Sequence, residues 1–135
     1  MSENKELTAS EDQQAIYDQL DLSEAARKAI LTAKEAGYEP VFTKISGKEF
    51  VYKPVTRKQW RELRTRMSEA ASKIDQDDDL AAAELREEEL ERLVRMCEVY
   101  YENSENLYAG TVDSLSDSIL LSSGFGGAEV DPIRL

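Results

Sequence analysis

The chain has 135 residues, enough for one domain with a modest core and not for several. Its 28 acidic residues against 17 basic ones leave a formal net charge of -11, which argues against phosphate-backbone binding over most of the surface. Histidine is absent, so a Ser-His-Asp triad, a Cys-His pair and a His-containing zinc site are all excluded within this chain.

Residues 1–21 are rich in Glu, Asp, Gln and Ser, with sparse apolar positions at Leu7, Ile16, Tyr17 and Leu20. Thr8 and Glu11 have capping-box spacing, so either a short helix over 9–19 or an acidic tail is compatible with this stretch. It carries no basic n-region and no apolar h-region, and the reading expects a cytosolic protein.

Ser23 can cap a helix over 24–36 with Ala26, Ile30, Leu31 and Ala33 on its apolar side and Gly37 at its end. The period then changes. Val41 to Ile45 and Glu49 to Lys53 are β-rich runs around Ser46-Gly47-Lys48, which reads as a hairpin closed by Pro54. A lone hairpin is marginal in water, so it must pack on helices or join a partner's sheet.

Thr56 and Gln59 form a second capping box. Behind it Trp60, Leu63, Met67, Ala70, Ala71 and Ile74 make one narrow apolar stripe at helical spacing. The run Asp75 to Asp79 interrupts it, and a second long helix is expected over 80–101. Its core side would carry Leu80, Ala83, Leu90, Leu93, Val94, Cys97 and Tyr100 or Tyr101. The two stripes describe an antiparallel helical hairpin. A last short helix is expected to begin near Thr111, with Leu115, Ile119 and Leu120 inward, Gly124 just past its end and Phe125 as the apolar residue that follows.

The predicted fold is therefore mainly α (α+β), a helical hairpin plus additional short helices with one small β-hairpin. The organisation expected is an acidic N-terminal segment over 1–21, a helical domain over 22–125 and an extended C-terminal tail over 126–135.

Several candidate sites fail on inspection. Asp75, Asp77 and Asp79 match positions 1, 3 and 5 of an EF-hand loop, but Leu80 stands where the glycine belongs and Arg86 where the bidentate glutamate belongs. A solvated loop lending negative charge to a helix N-terminus is the better reading. Gly124-Phe125-Gly126-Gly127 follows a helix, whereas a phosphate loop leads into one. Cys97, the one cysteine, lies in an apolar stripe and reads as a buried structural thiol. No catalytic residue, cofactor or metal ligand is expected, and no membrane partner.

What remains is an interaction surface. Lys53, Arg57, Lys58, Arg61, Arg64 and Arg66 gather beside Trp60. The plainest expectation is that Glu84, Glu87, Glu88, Glu89 and Glu91 of the next helix neutralise them as interhelix ion pairs. The sharper readings are a nucleic-acid patch, or a dock for an acidic protein surface. The partner-binding candidates are Arg57, Trp60, Arg61, Arg64, Tyr108 and Phe125, although Trp60 sits in a stripe that also suits a core.

Two stretches resemble small tail-assembly proteins of bacteriophages. One is Lys48-Glu49-Phe50-Val51-Tyr52-Lys53-Pro54-Val55-Thr56-Arg57-Lys58-Gln59-Trp60, a strand running through Pro-x-Thr into a basic and aromatic helix. The other is Ala109-Gly110-Thr111 with Leu115-Ser116, Ile119-Leu120 and Ser123-Gly124-Phe125. Similar openings and closings occur in tail-assembly chaperones and baseplate-hub assembly proteins, over a span matching residues 41–125. Where such families follow a cysteine with a proline-containing segment, this chain has Cys97-Glu98-Val99-Tyr100-Tyr101.

The resemblance implies a non-enzymatic factor that binds an aggregation-prone protein, a tape-measure or baseplate-hub component, with no direct contact to nucleic acid. It implies a place in the host bacterial cytoplasm, or in the virion if the protein is retained there. A structural tail or baseplate subunit is one alternative. An acidic inhibitor that mimics DNA and occupies the cleft of a nucleic-acid-binding protein is another.

Overall fold

A computed structural model describes residues 9–125 and the backbone of Ile133–Arg134. Its described elements run α1 (Glu11–Gln19), α2 (Glu24–Glu35), β1 (Val41–Ile45), β2 (Lys48–Tyr52), α3 (Arg57–Ala71), α4 (Asp79–Met96), β3 (Glu98–Tyr101), a 3-10 turn (Ser104–Asn106), α5 (Ala109–Ser122) and β4 (Ile133–Arg134). The fold is mainly helical, with five helices and a small antiparallel sheet. The strands lie in the order β3-β2-β1-β4, and β4 contributes only two residues at the edge of β1.

The β1–β2 hairpin turns through Ser46 at φ 52° and Gly47 at φ 78°. Positive φ at both central residues matches the twist of the flanking strands. Because side chains alternate across a strand, the sheet has two working faces. Val41, Phe50, Tyr52 and Tyr101 point into a cluster with Leu63, Leu93, Val94, Cys97, Leu115 and Ile119, under α3, α4 and α5. Phe42 and Val51 point the other way, onto Tyr17, Leu22, Ala26 and Ile30 of the α1–α2 layer. The expected hairpin therefore packs on helices on both faces, which is why Phe50-Val51-Tyr52 reads as a continuous apolar run.

The N-terminal segment forms a helix whose capping box is Ser10 with Gln13, not Thr8 with Glu11. Thr8 itself lies outside the described residues, as do Leu7, Gly126 and Gly127. Ser23 caps α2 as expected, its Oγ accepting the Ala26 N–H at 3.1 Å. The Glu49 carboxylate accepts the Ser23 N–H at 2.7 Å and ties this helix start to β2.

The second long helix departs from expectation. It stops at Met96, and residues 98–101 leave it to become β3. Val99, Tyr100 and Tyr101 are β-branched or aromatic and satisfy the free edge of β2, with Phe50 opposite Tyr101 and Val51 opposite Tyr100. Helical spacing continues through this stretch in the sequence, but the open strand edge outweighs it.

α5 begins two residues earlier than expected and ends in a Schellman cap. The Phe125 N–H donates to the Leu120 carbonyl at 3.0 Å and the Gly124 N–H to the Leu121 carbonyl at 3.2 Å, with Gly124 at φ 100°. The Tyr52 hydroxyl fastens this helix to the sheet from within the core, 2.7 Å from Ser122 Oγ and 3.0 Å from the Ser118 carbonyl.

α3 and α4 form the expected hairpin, but its outer half is not core. No residue between Leu63 and Glu89 is buried. Met67 and Leu80, both placed in apolar stripes by spacing, are 38% and 71% exposed, and Ala71 and Ala83 are exposed as well. The core cluster takes Leu63 from α3 and Leu93 and Val94 from α4, and nothing beyond them toward the hairpin's tip, so the stripe outlasts the core it would cover. Asp78, within the aspartate run, serves as N-cap of α4, its carboxylate accepting the Ala81 N–H at 3.0 Å.

Candidate functional site

The site is built where α3 starts and α5 ends. Thr56 Oγ1 accepts the Gln59 N–H at 3.2 Å and Gln59 Oε1 accepts the Thr56 N–H at 3.1 Å, a reciprocal box that fixes the first turn of α3. The Val55 N–H donates to Ser123 Oγ at 2.9 Å, which holds that turn against the end of α5. Trp60 is therefore brought to Phe125, ring centroids 4.9 Å apart and planes inclined at 55°. Trp60 is half-buried, one side on the core cluster and the other on Phe125, which is 39% exposed. Its place in the apolar stripe is thus a packing position on the core, with part of the ring left at the surface.

Arg57, Arg61 and Arg64 follow at i, i+4 and i+7, so they share one helix face. With Trp60, Thr65 and Ser68 they line one shallow surface depression. Thr65 and Ser68 were not singled out from the sequence; the i+4 step from Arg64 to Ser68 was the signal that marks them as neighbours.

The expected interhelix ion pairs are absent. Among the described residues, none of Arg57, Lys58, Arg61, Arg64 and Arg66 has a carboxylate within 4.0 Å; the ion pairs present are Arg27–Asp18, Arg92–Glu89 and Arg95–Glu98. The cause is helix phase. Half-buried Leu85 and buried Glu89 sit a turn apart on α4, while Glu84, Glu87, Glu88 and Glu91 are exposed on its other sides. Among the described residues the arginine row is thus left without an ion pair on an acidic molecule.

Tyr108 stands apart. It precedes α5, 74% exposed, with Lys48 Nζ 5.7 Å from its ring centre. Phe125 lies at the opposite end of the same helix, about 20 Å away at 1.5 Å per residue. Tyr108 does not share the arginine face.

Cys97 is 1% exposed, and burial, opposed by Lys53, pushes its thiol from the ordinary 9.0 up to about 11, so it stays protonated. Burial likewise raises Tyr101, whose hydroxyl donates to the Val94 carbonyl at 2.7 Å. Among the described residues no cluster of three metal-ligating side chains occurs, and no helix is long and apolar enough to cross a membrane. The chain matches no family model, no curated protein and no solved structure.

Proposed function

We propose that this chain is a non-enzymatic protein-binding factor whose α3 face docks an acidic, partly apolar segment of another protein. One observation carries the reading: Arg57, Arg61 and Arg64 are exposed and lack an ion pair among the described residues, beside a Trp60–Phe125 aromatic pair held in place from behind. Arginine and tryptophan are the side chains that most often dominate binding energy at protein interfaces. The whole chain's net charge of -11 disfavours nucleic acid and repels acidic surfaces, so an acidic segment is favoured only at this positive face.

The resemblance of Lys48 to Trp60 and of Ala109 to Phe125 to bacteriophage tail-assembly proteins supplies the partner class. We take the protein to be a chaperone of tail or baseplate assembly, keeping a tape-measure or hub component soluble before incorporation. Strong negative charge suits a holdase, which must stay soluble beside an aggregation-prone client.

Co-expression with the tail and baseplate proteins of the same phage tests this. The expected result is one client whose soluble fraction rises and which co-elutes with the chain in gel filtration. A client set whose solubility is unchanged, with no complex surviving the column, rejects the proposal. Mass spectrometry of purified particles separates a chaperone, which is missing from them, from a retained subunit, which is present in fixed stoichiometry.

A further inference from the structure

The outer half of the α3–α4 hairpin is an unpartnered arm. Its inward seam holds only half-buried Ala70, Ile74, Ala81 and Leu85, and no residue from Arg64 to Glu88 is buried. Two helices touching along so thin a seam gain little from packing, and most helical stability in proteins comes from such packing. The whole hairpin carries opposite charges on its two helices, and among the described residues neither set forms an ion pair. α3 presents Arg57, Arg61 and Arg64. α4 presents exposed Glu84, Glu87 and Glu91, none of which has a cation within 4.0 Å among the described residues.

The two rows match in register. Read along α3, the arginines step by four residues and then three; read backwards along α4, Glu91, Glu87 and Glu84 step by four and then three. Extending both rows brings Ser68 of one helix, which lines the same depression as the arginines, level with exposed Leu80 of the other. Antiparallel pairing therefore sets Arg57 against Glu91, Arg61 against Glu87, Arg64 against Glu84 and Ser68 against Leu80. Within one chain these charges do not meet: among the described residues none of the six has an opposite charge within 4.0 Å. A second copy lying alongside with its arm pointing the same way brings them together.

We infer that the free protein self-associates through its α3–α4 hairpin, the arginine row of α3 in one copy seated on the glutamate row of α4 in a second copy. The long-range repulsion between two acidic chains is screened within about 8 Å at physiological salt, whereas the paired rows are in contact. The two rows are different surfaces, so the contact is head-to-tail and can be repeated or closed into a ring. It covers the face assigned above to the partner, and an acidic client segment displaces it. That last step rests on the docking proposal; self-association itself does not.

The test needs no partner. Sedimentation equilibrium of the full chain at tens of micromolar and physiological ionic strength is expected to give a mass at least twice the 15.2 kDa of one copy, falling toward one copy near 1 M salt, where charges are screened within about 3 Å. The triple variant Arg57→Glu, Arg61→Glu, Arg64→Glu and the triple variant Glu84→Arg, Glu87→Arg, Glu91→Arg are each expected to sediment as single copies. Mixed in equal amounts they are expected to regain the higher mass, because each supplies the charge the other's row needs. Far-UV circular dichroism checks folding, and the single variants Arg61→Glu and Glu87→Arg serve in the same mixing design should a triple variant misfold. A wild-type mass of one copy, or a mixture that stays at one copy while wild type does not, overturns the inference. Failure of partner binding with intact self-association, or the reverse, shows which of the two proposals has failed.

Discussion

Trp60 and Phe125 meet with ring centroids 4.9 Å apart, although 65 positions separate them in sequence. The contact joins the first turn of α3 to the Schellman cap of α5 and makes one surface from two helix ends. Removing Phe125 takes away an aromatic pair worth about 1 kcal/mol and exposes the outer side of the indole. Phe125→Ala is expected to shift the emission of Trp60, the sole tryptophan, to longer wavelength, lower stability by about 1 kcal/mol and weaken partner binding. Fluorescence and a urea titration read all but the last.

Thr56 and Gln59 cap α3 reciprocally. Thr56→Ala removes one acceptor from the helix start and is expected to cost about 1 kcal/mol, read as a lower urea midpoint. The same substitution loosens the turn that presents Arg57 and Trp60, so partner affinity is expected to fall with it.

The Tyr52 hydroxyl is fully enclosed beside Ser118 and Ser122. Tyr52→Phe keeps the ring and loses these bonds between β2 and α5, at an expected cost of about 1–2 kcal/mol. An unchanged urea midpoint would show that the hydroxyl does not fasten the helix to the sheet.

Alkaline stability follows from three buried groups. Burial raises Cys97 from 9.0 to about 11 in the folded chain. A raised pKa means the folded state holds its proton more tightly, so the stabilisation is complete below the unfolded value and is lost as pH climbs through the folded one. Tyr17 and Tyr101 shift in the same direction, mainly through burial. The urea midpoint is expected to drop between pH 9.0 and about 11, and less so in Cys97→Ala. Thiol reagents are expected to leave Cys97 unmodified until the chain unfolds.

Much of this architecture is legible in the residues. Ser23, Thr56 and Gly124 mark helix ends by side-chain chemistry and backbone freedom, which act locally and so can be read locally. β3 is not legible in this way. Its Val99-Tyr100-Tyr101 continues a helical spacing, and only the unpaired edge of β2, over 40 residues upstream, turns it into a strand. The arm misleads for the opposite reason: Met67 and Leu80 keep the spacing of a core face after the core has ended. For the site, spacing gathers Arg57, Trp60, Arg61 and Arg64, while the approach of Phe125 and the failure of the interhelix ion pairs depend on how α4 is rotated, which no local pattern specifies.

The most direct test of the docking account is the affinity of the co-purified partner for wild type and for Arg57→Glu with Arg61→Glu, followed by isothermal titration at two salt concentrations. Both side chains are exposed, so the double variant is expected to fold with an unchanged urea midpoint. Charge-assisted contacts are worth about 1.5 kcal/mol or more each, so the account predicts at least about a tenfold rise in Kd and a weaker salt dependence. An affinity and a salt dependence equal to those of wild type would contradict it.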